Sequence, residues 1–528
     1  MSYFFESMKN KLSTYRQPNR GTQASVFVRN WFALLVVVLW GGGAWGQSNK
    51  IAAEKGIPLS KMYNPKEYNA HGQNFAVAQD QRGLMYFGNF AGVLEYDGVS
   101  WRTIPTGNIT KVSALCVSKF GRVFVGAKGE FGYLKPDSTG TLGFESLSKD
   151  VKAEFGQILN IFQTDEGIYF VAQHHIFLLN SKGVKEFQVS ATILTSFYAN
   201  QKIIVLLKDG GPHLFEGQKL VPIKKAPLTP VIFDLTAVFP TADGQLLLLT
   251  SSQGLFKLVN NTISTFACPA NGYLIANQTT AGQVLENGNF AIGTLKEGVV
   301  VITPNGQMVN RIKDNDYLQD MQVNAMFSDR EGTLWLALNN GIVSIDISSP
   351  IERFNEFSNL KGEVKGIARA NGRLYAGTLN GLFYLKDFSV NSVPAVNASC
   401  FDLEAVGSAL FVATNKGLLQ VSESGVQKIT PFYTLCLQVS RVNPFHVFVG
   451  QQSGLGLINV KNGKGGEYRL IGAINEQVMG IAEDADGTIW LETLSDGLFK
   501  VNPKTYEVKK YAAREGLPPM SYNRVTYT

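Results

Sequence analysis

Residues 323–346 read VNAMFSDREGTLWLALNNGIVSID, and the fold of the chain is decided there. Residues 324–328 are short and apolar, residues 329–332 carry turn formers, and residues 333–338 are apolar and β-prone. Asn339, Asn340 and Gly341 signal a second turn, and residues 342–345 a third strand. Gly332 and Gly341 stand where tight hairpins demand a positive φ. Trp335 falls in mid-strand, where a large ring can fill the gap between stacked sheets. A piece of three strands cannot bury both of its faces alone. It needs copies of itself.

The chain supplies them. Six copies precede this one, at residues 74–97, 113–134, 160–179, 196–215, 235–258 and 281–302, and a fourth strand at 100–104 closes the first. The third copy lacks the second glycine, and the fourth is the most degenerate. Four more follow, at residues 365–385, 401–421, 437–458 and 478–501. A period of about 40 residues fits one four-stranded propeller blade. A β-sandwich shares the turn density but not a fixed motif repeated in this way. Segments of helical period are absent, while the polar stretch 51–72, with Pro58 and Pro65, reads as an irregular lead-in.

Composition supports the same class. The 528 residues are 45% hydrophobic and 17% charged, and 53 are glycine, as many hairpins require. Most of the net charge of +6 sits in residues 1–46, where Lys9, Lys11, Arg16, Arg20 and Arg29 face only Glu6. The basic balance therefore belongs to the leader and gives no reason to expect a nucleic-acid partner. Cys116, Cys268, Cys400 and Cys436 are too scattered for a disulfide framework or a metal site. Cys400 and Cys436 sit in inner-strand patterns and read as small buried hydrophobes.

The leader reads as a secretory signal peptide. Arg29 and Asn30 precede the apolar run 31–40 (WFALLVVVLW), and Ala44 and Gly46 form a small-x-small cleavage site before Gln47. The run is about half the roughly 20 residues needed to span a bilayer, which disfavours the rival reading of an uncleaved anchor. The basic region is long, and Met8 is an alternative start. The protein is expected to be periplasmic or secreted.

The blades share a pattern, D-x-x-G-x-L-W-x-G-T-x-x-G-L, that resembles the two-component regulator propeller repeat. It is met by Asp329, Gly332, Leu334, Trp335, Gly341 and Ile342 in the seventh copy. In the eleventh it is met by Asp486, Gly487, Ile489, Trp490, Thr493, Gly497 and Leu498. The eighth keeps Gly372, Leu374, Tyr375, Gly377, Thr378, Gly381 and Leu382. Residues 339–354 (NNGIVSIDISSPIERF) resemble the join between two seven-bladed propellers of that family. The expected fold is all-β, with tandem β-propellers: a complete seven-bladed one followed by an incomplete second one. Its parts are a signal peptide (1–46), a lead-in (47–73), the first propeller (74–354) and about four blades of the second (355–528). Residues 516–525 (GLPPMSYNRV) resemble the approach to another blade, so a longer natural protein, or a truncated product, is expected.

No catalytic motif is present: there is no phosphate-binding Gly-rich loop with Lys-Ser/Thr, no HExxH and no GxSxG. Asp484, Ala485, Asp486 and Gly487 start like a calcium loop, lack its later ligands, and read as a hairpin turn. Loops joining second to third strands open together on one propeller face. They carry Asn89 and Phe90, Lys128 and Glu130, His174 and His175, Lys208 and Asp209, Lys296 and Glu297, and Asn339 and Asn340. Phe90, Lys128, Glu130, His174, His175, Lys296 and Glu297 are the candidate ligand-binding residues, for a polar ligand such as an oligosaccharide. Trp101, Trp335 and Trp490 lie at strand positions and read as core.

The resemblance implies a periplasmic sensor that passes ligand binding to an output domain beyond this stretch, which could be a histidine kinase, and a homodimer in the full-length protein. No cofactor and no metal are expected. A propeller lyase or glycosidase, or a protein-binding scaffold, is the alternative.

Overall fold

The computed structural model describes residues 54–313, 322–386, 389–461, 463–495 and 497–517, without the side chain of Phe357. The leader and the segment from 518 onward, on which the signal-peptide reading and most of the reading of a further blade depend, lie outside the described residues. Among the described residues the strands form eleven sheets, each built on four antiparallel strands; in ten of them the four follow chain order outward from an inner one. These are blades one to eleven.

The opening stretch folds as read. Val323–Ser328, Thr333–Leu338 and Gly341–Asp346 are the first three strands of blade seven. Gly332 (φ 81°) and Gly341 (φ 116°) hold its two turns in the left-handed region. At Gly341 a Cβ would also stand 3.0 Å from the Tyr63 carbonyl oxygen, so only glycine fits without a shift.

The fourth strand of that blade comes from the other end of the ring. Ile57–Tyr63 pairs antiparallel with the third strand, from Leu59 opposite Asp346 to Tyr63 opposite Ile342. The stretch expected to be an irregular lead-in thus closes the first propeller. Its sequence hides this because an outermost strand is half exposed: Leu59 and Lys61 face solvent, and Pro58 is tolerated beside an edge. Two short helices also occur, Pro65–Tyr68 and Asn271–Asn277, both in connections between blades. Asn64 and Glu67 form a capping box around the first, which is why so short a turn holds.

Blade seven meets blade one through Trp335, Phe87, Leu94, Tyr96 and Tyr63, which share one buried cluster. The Asn324 amide donates to the Asn74 carbonyl (2.9 Å), and the Asn74 amide donates back to the Gly341 carbonyl (3.0 Å). Blades one to seven therefore close a ring. Copies three and four, the least regular in sequence, form sheets like the others.

All eleven inner strands carry a register shift just after their first residue. Such a bulge leaves one residue out of the ladder and free to re-aim its side chain. Three of these residues reach the first inner-strand residue of the next blade. Ser113 Oγ donates to the Ile158 carbonyl (2.6 Å), Thr236 Oγ1 bonds Thr279 Oγ1 (2.9 Å), and Asn324 bonds Asn74 as above. At these three junctions the bulged residue stitches blade to blade.

Blades eight to eleven span residues 364–511 and pack in line through three buried clusters. Among the described residues this second set does not close into a ring. Ile367, the counterpart of the partly buried Val77 of blade one, is 67% exposed. Leu360, from the link between the two sets, covers part of the blade-eight face formed by Ala376, Phe383 and Leu385. Trp490, the counterpart of Trp335, has Tyr511 and Lys500 of its own sheet for company.

Candidate functional site

The aspartate of the repeat motif serves the fold. Asp329 accepts the backbone N–H groups of Glu331 (3.0 Å) and Thr333 (2.7 Å) on one oxygen and Trp335 Nε1 (2.7 Å) on the other. Asp80 does the same for Arg82, Leu84 and the Tyr86 hydroxyl. In blade eleven Asp484 fills this role toward Trp490 Nε1 (2.9 Å), so Asp484, rather than Asp486, is the motif aspartate. The calcium-like run is a hairpin turn, with Gly487 N–H bonded to the Asp484 carbonyl.

The face formed by the second-to-third-strand loops and the crossovers between blades holds the rim residues singled out by sequence. Phe90 is 40% exposed and meets His71 edge-on at 4.7 Å and Phe75 at 5.3 Å. Lys111 Nζ lies 3.9 Å from the Phe75 ring centre, and burial lowers its pKa below the usual lysine value. One cation and three aromatic rings thus gather where blade one meets blade two. The sequence signal for Phe75 was its place as the bulged residue of an inner strand; His71 and Lys111 lie in crossovers that no repeat marks.

Lys128 and Glu130 flank Gly129 beside this cluster. The Lys128 carbonyl accepts from Asn108 Nδ2 (2.8 Å) and Thr110 Oγ1 (3.1 Å). The Glu130 carboxylate accepts the Asn108 N–H at 3.0 Å. Both therefore brace the crossover that carries Lys111, and Lys128 is left exposed. His174 is exposed, with its carbonyl accepting the Val189 N–H.

His175 departs from the rim. His175 stands where blades one and seven have their second glycine: after a turn of the same two-residue length it is the first residue of the strand His175–Asn180. Its side chain is 7% exposed, stacked at 5.9 Å on Phe177, with Nε2 3.3 Å from Glu186. Lys296 Nζ donates to the Ala276 carbonyl (2.9 Å), while Glu297 pairs with Arg311 (3.5 Å) and Lys313 (3.0 Å) on the outer side of blade six. The contacts of His174, Lys296 and Glu297 stay within their own blades and crossovers; Phe90, Lys128 and Glu130 share one region.

The inner strand of blade nine carries two half-buried carboxyls, Asp402 and Glu404. Asp402 accepts the N–H groups of Leu403 and Leu437, both at 2.8 Å, and so ties blade nine to blade ten. Burial raises its pKa. Glu404, two residues on, is pushed up to about 7, by burial first and then by the Asp402 charge. The four cysteines are free thiols, and Cys400 and Cys436 are buried, as their strand positions suggested. Among the described residues no three His, Cys, Asp or Glu side chains come together as a metal site.

No family model matches the chain, and no curated protein does. Solved structures do match in fold. The extracellular domain of the hybrid two component system BT3049 of B. thetaiotaomicron superposes with a TM-score of 0.61 at 15% identity, over 87% of this chain and 67% of that one. The corresponding domain of BT4673 from the same organism gives 0.42 at 16% identity, over 87% and 67%. A virginiamycin B lyase of Staphylococcus aureus gives 0.42 at 13% identity, over 54% of this chain and 99% of the lyase. Tandem propellers, one closed and one open, are the architecture of this chain.

Proposed function

We propose that this chain is the extracytoplasmic ligand-sensing propeller region of a bacterial signalling protein of the two-component type. The observation that carries the reading is the likeness to the BT3049 extracellular domain, which extends through both sets of blades. The exposed cluster of Phe90, His71, Phe75 and Lys111, braced through Lys128 and Glu130, supplies an aromatic platform and a cation for a polar ligand such as a glycan. Binding there would bias the packing of blades or protomers toward one arrangement, and an output domain would read that bias. Among the described residues no helix is long and apolar enough to cross a membrane.

The chain is proposed to bind without turnover. The mature protein, incubated with a glycan panel, should show a thermal shift with at least one member and release no product. Phe90→Ala should reduce that shift. Product release would move the chain to the enzymes, and a shift untouched by Phe90→Ala would move the site elsewhere.

A further inference from the structure

The turns that join first to second strands lie on the face opposite the rim, and neighbouring blades lock them together. At the junction of blades seven and one, the Arg330 N–H donates to Gln79 Oε1 (3.1 Å), and Gln79 Nε2 donates to the Glu331 carboxylate (3.1 Å). The Arg330 guanidinium donates to the carbonyl of Asp80 and, at 2.9 Å, to that of Gln81. One cation and one carboxylate of the chain itself fill that junction.

Blades two and three repeat the frame without the filling. Residues 118–122 align with residues 329–333, with Gly121 (φ 80°) where Gly332 (φ 81°) stands. The Lys119 N–H donates to Gln163 Oε1 (2.6 Å), as that of Arg330 does to Gln79. Lys119 takes the place of Arg330, yet its ammonium lies 5.4 Å from the Phe120 ring centre and, among the described residues, donates no hydrogen bond. Phe120 takes the place of Glu331 and is 84% exposed, so among the described residues Gln163 Nε2 has no acceptor.

A cavity of about 540 Å³ remains between the two turns. Lys119 and Arg122 line its blade-two side, and Asp165 and Glu166 its blade-three side. All four are exposed and Gln163 is half-buried, so their polar groups are open to a ligand. Arg122 rests over Tyr133 of its own sheet at 4.5 Å, and Glu166 accepts the Tyr169 hydroxyl at 2.6 Å. Among the described residues no ion pair joins the two sides. Opposite charges held apart in this way favour a ligand that carries both signs.

We infer that this cleft binds a small zwitterion, a free amino acid or a short peptide with an apolar side chain. Its carboxylate takes the place of the Glu331 carboxylate, accepting from Gln163 Nε2 beside Lys119 and Arg122. Its ammonium takes the place of the Arg330 guanidinium, against Asp165 and Glu166, and its side chain lies on Phe120. The inference does not depend on the ligand proposed for the opposite face, and it gives the first ring a second site of different chemistry.

The test is calorimetric titration of the mature chain with leucine, dileucine and trileucine, each also in N-acetylated and in C-amidated form. Hydrogen exchange with each probe locates where it binds. A zwitterion should bind and protect residues 118–122 and 163–167. Protection by leucine alone or by the peptides alone identifies the source, and either result supports the site. Acetylating the amine or amidating the carboxylate of the bound probe should weaken it at least about tenfold, the span of one hydrogen bond to a charged group. Phe120→Ala, at a position too exposed to unfold the blade, should also weaken it. Lys119→Arg combined with Phe120→Glu copies the blade-seven filling into this junction and should abolish binding without lowering the melting temperature. Phe445→Ala, at an exposed aromatic of blade ten, should change nothing. Binding that the double variant leaves intact overturns the site. Binding undiminished by acetylation or by amidation overturns the ligand class, and protection of the two turns by no probe overturns the assignment outright.

Discussion

Trp335 and Trp490 are the same residue in the same motif, each with its indole N–H on the turn aspartate six positions back, at 2.7 and 2.9 Å. They differ in what lies beyond. Trp335 is 7% exposed, with Phe87 of blade one at 5.6 Å, Tyr63 at 5.8 Å and Tyr96 at 6.1 Å. Trp490 is half-buried, with Tyr511 at 5.5 Å and Lys500 above its ring. Truncating a buried aromatic costs about 3–5 kcal/mol, and the three ring contacts alone represent roughly 0.5–1.5 kcal/mol each. Trp335→Ala should therefore destabilise the closed ring by about 3–5 kcal/mol. Trp490→Ala should cost blade eleven no more than about 1–2 kcal/mol, mostly the lost hydrogen bond and one ring contact. Guanidinium melts of the whole chain, with hydrogen exchange assigning each transition to its blades, measure both. Equal losses would refute the reasoning, because they would mean either that the outer face of blade eleven is covered or that blade-to-blade contact contributes little at Trp335.

Limited proteolysis should leave a fragment ending near residues 349–359, since every face of the first ring has a neighbour, whereas among the described residues the blade-eight face of the second set is covered only in part, by Leu360. Equal resistance of both halves would contradict this. Glu404, whose folded pKa of about 7 lies above its ordinary 4.5, favours the folded state while protonated. Its contribution is complete below about pH 4.5 and is lost as pH rises through 7, so Glu404→Gln should flatten the fall in stability across that window. An unchanged pH profile in denaturant melts would place Glu404 in water. Gln47 should be the N-terminus of the exported protein, and mass spectrometry finding Met1 or Met8 at the end of a membrane-bound chain would contradict that.

The inner three strands of each blade were legible because the second and third are almost wholly buried and turn glycines bound them, as in blade seven. Fourth strands were not. Gly183–Gln188 is exposed along almost its whole length, and Ile57–Tyr63 mixes a proline with polar residues, so neither carries a hydrophobic signature. Phe90 was legible as an aromatic in a polar loop. His71, which meets Phe90, and Lys111, which meets Phe75, lie in crossovers, and their gathering depends on ring closure and blade spacing, which periodicity does not encode. His175 shows the opposite failure: read as part of the turn, it takes the place of the second glycine as the first residue of the third strand, and its ring lies inside.

The pairing of Leu59 with Asp346 also fixes an order of events. The segment that emerges first from the ribosome must wait for one of the last strands of its own domain before it finds a partner. At roughly 5–20 residues per second, that interval is on the order of 15–60 s. Throughout it, Ile57–Tyr63 is a bare strand with unsatisfied backbone groups, and the blades made meanwhile form an arc with no seam to hold it. Contacts of such long sequence separation also fold slowly, because the entropy of joining distant segments is lost before any bond repays it. A chain built this way stays threadable until late in its synthesis. That delay would suit the export proposed for this chain, and it makes the N-terminal strand the piece whose loss would leave six finished blades and a seventh without its outer edge.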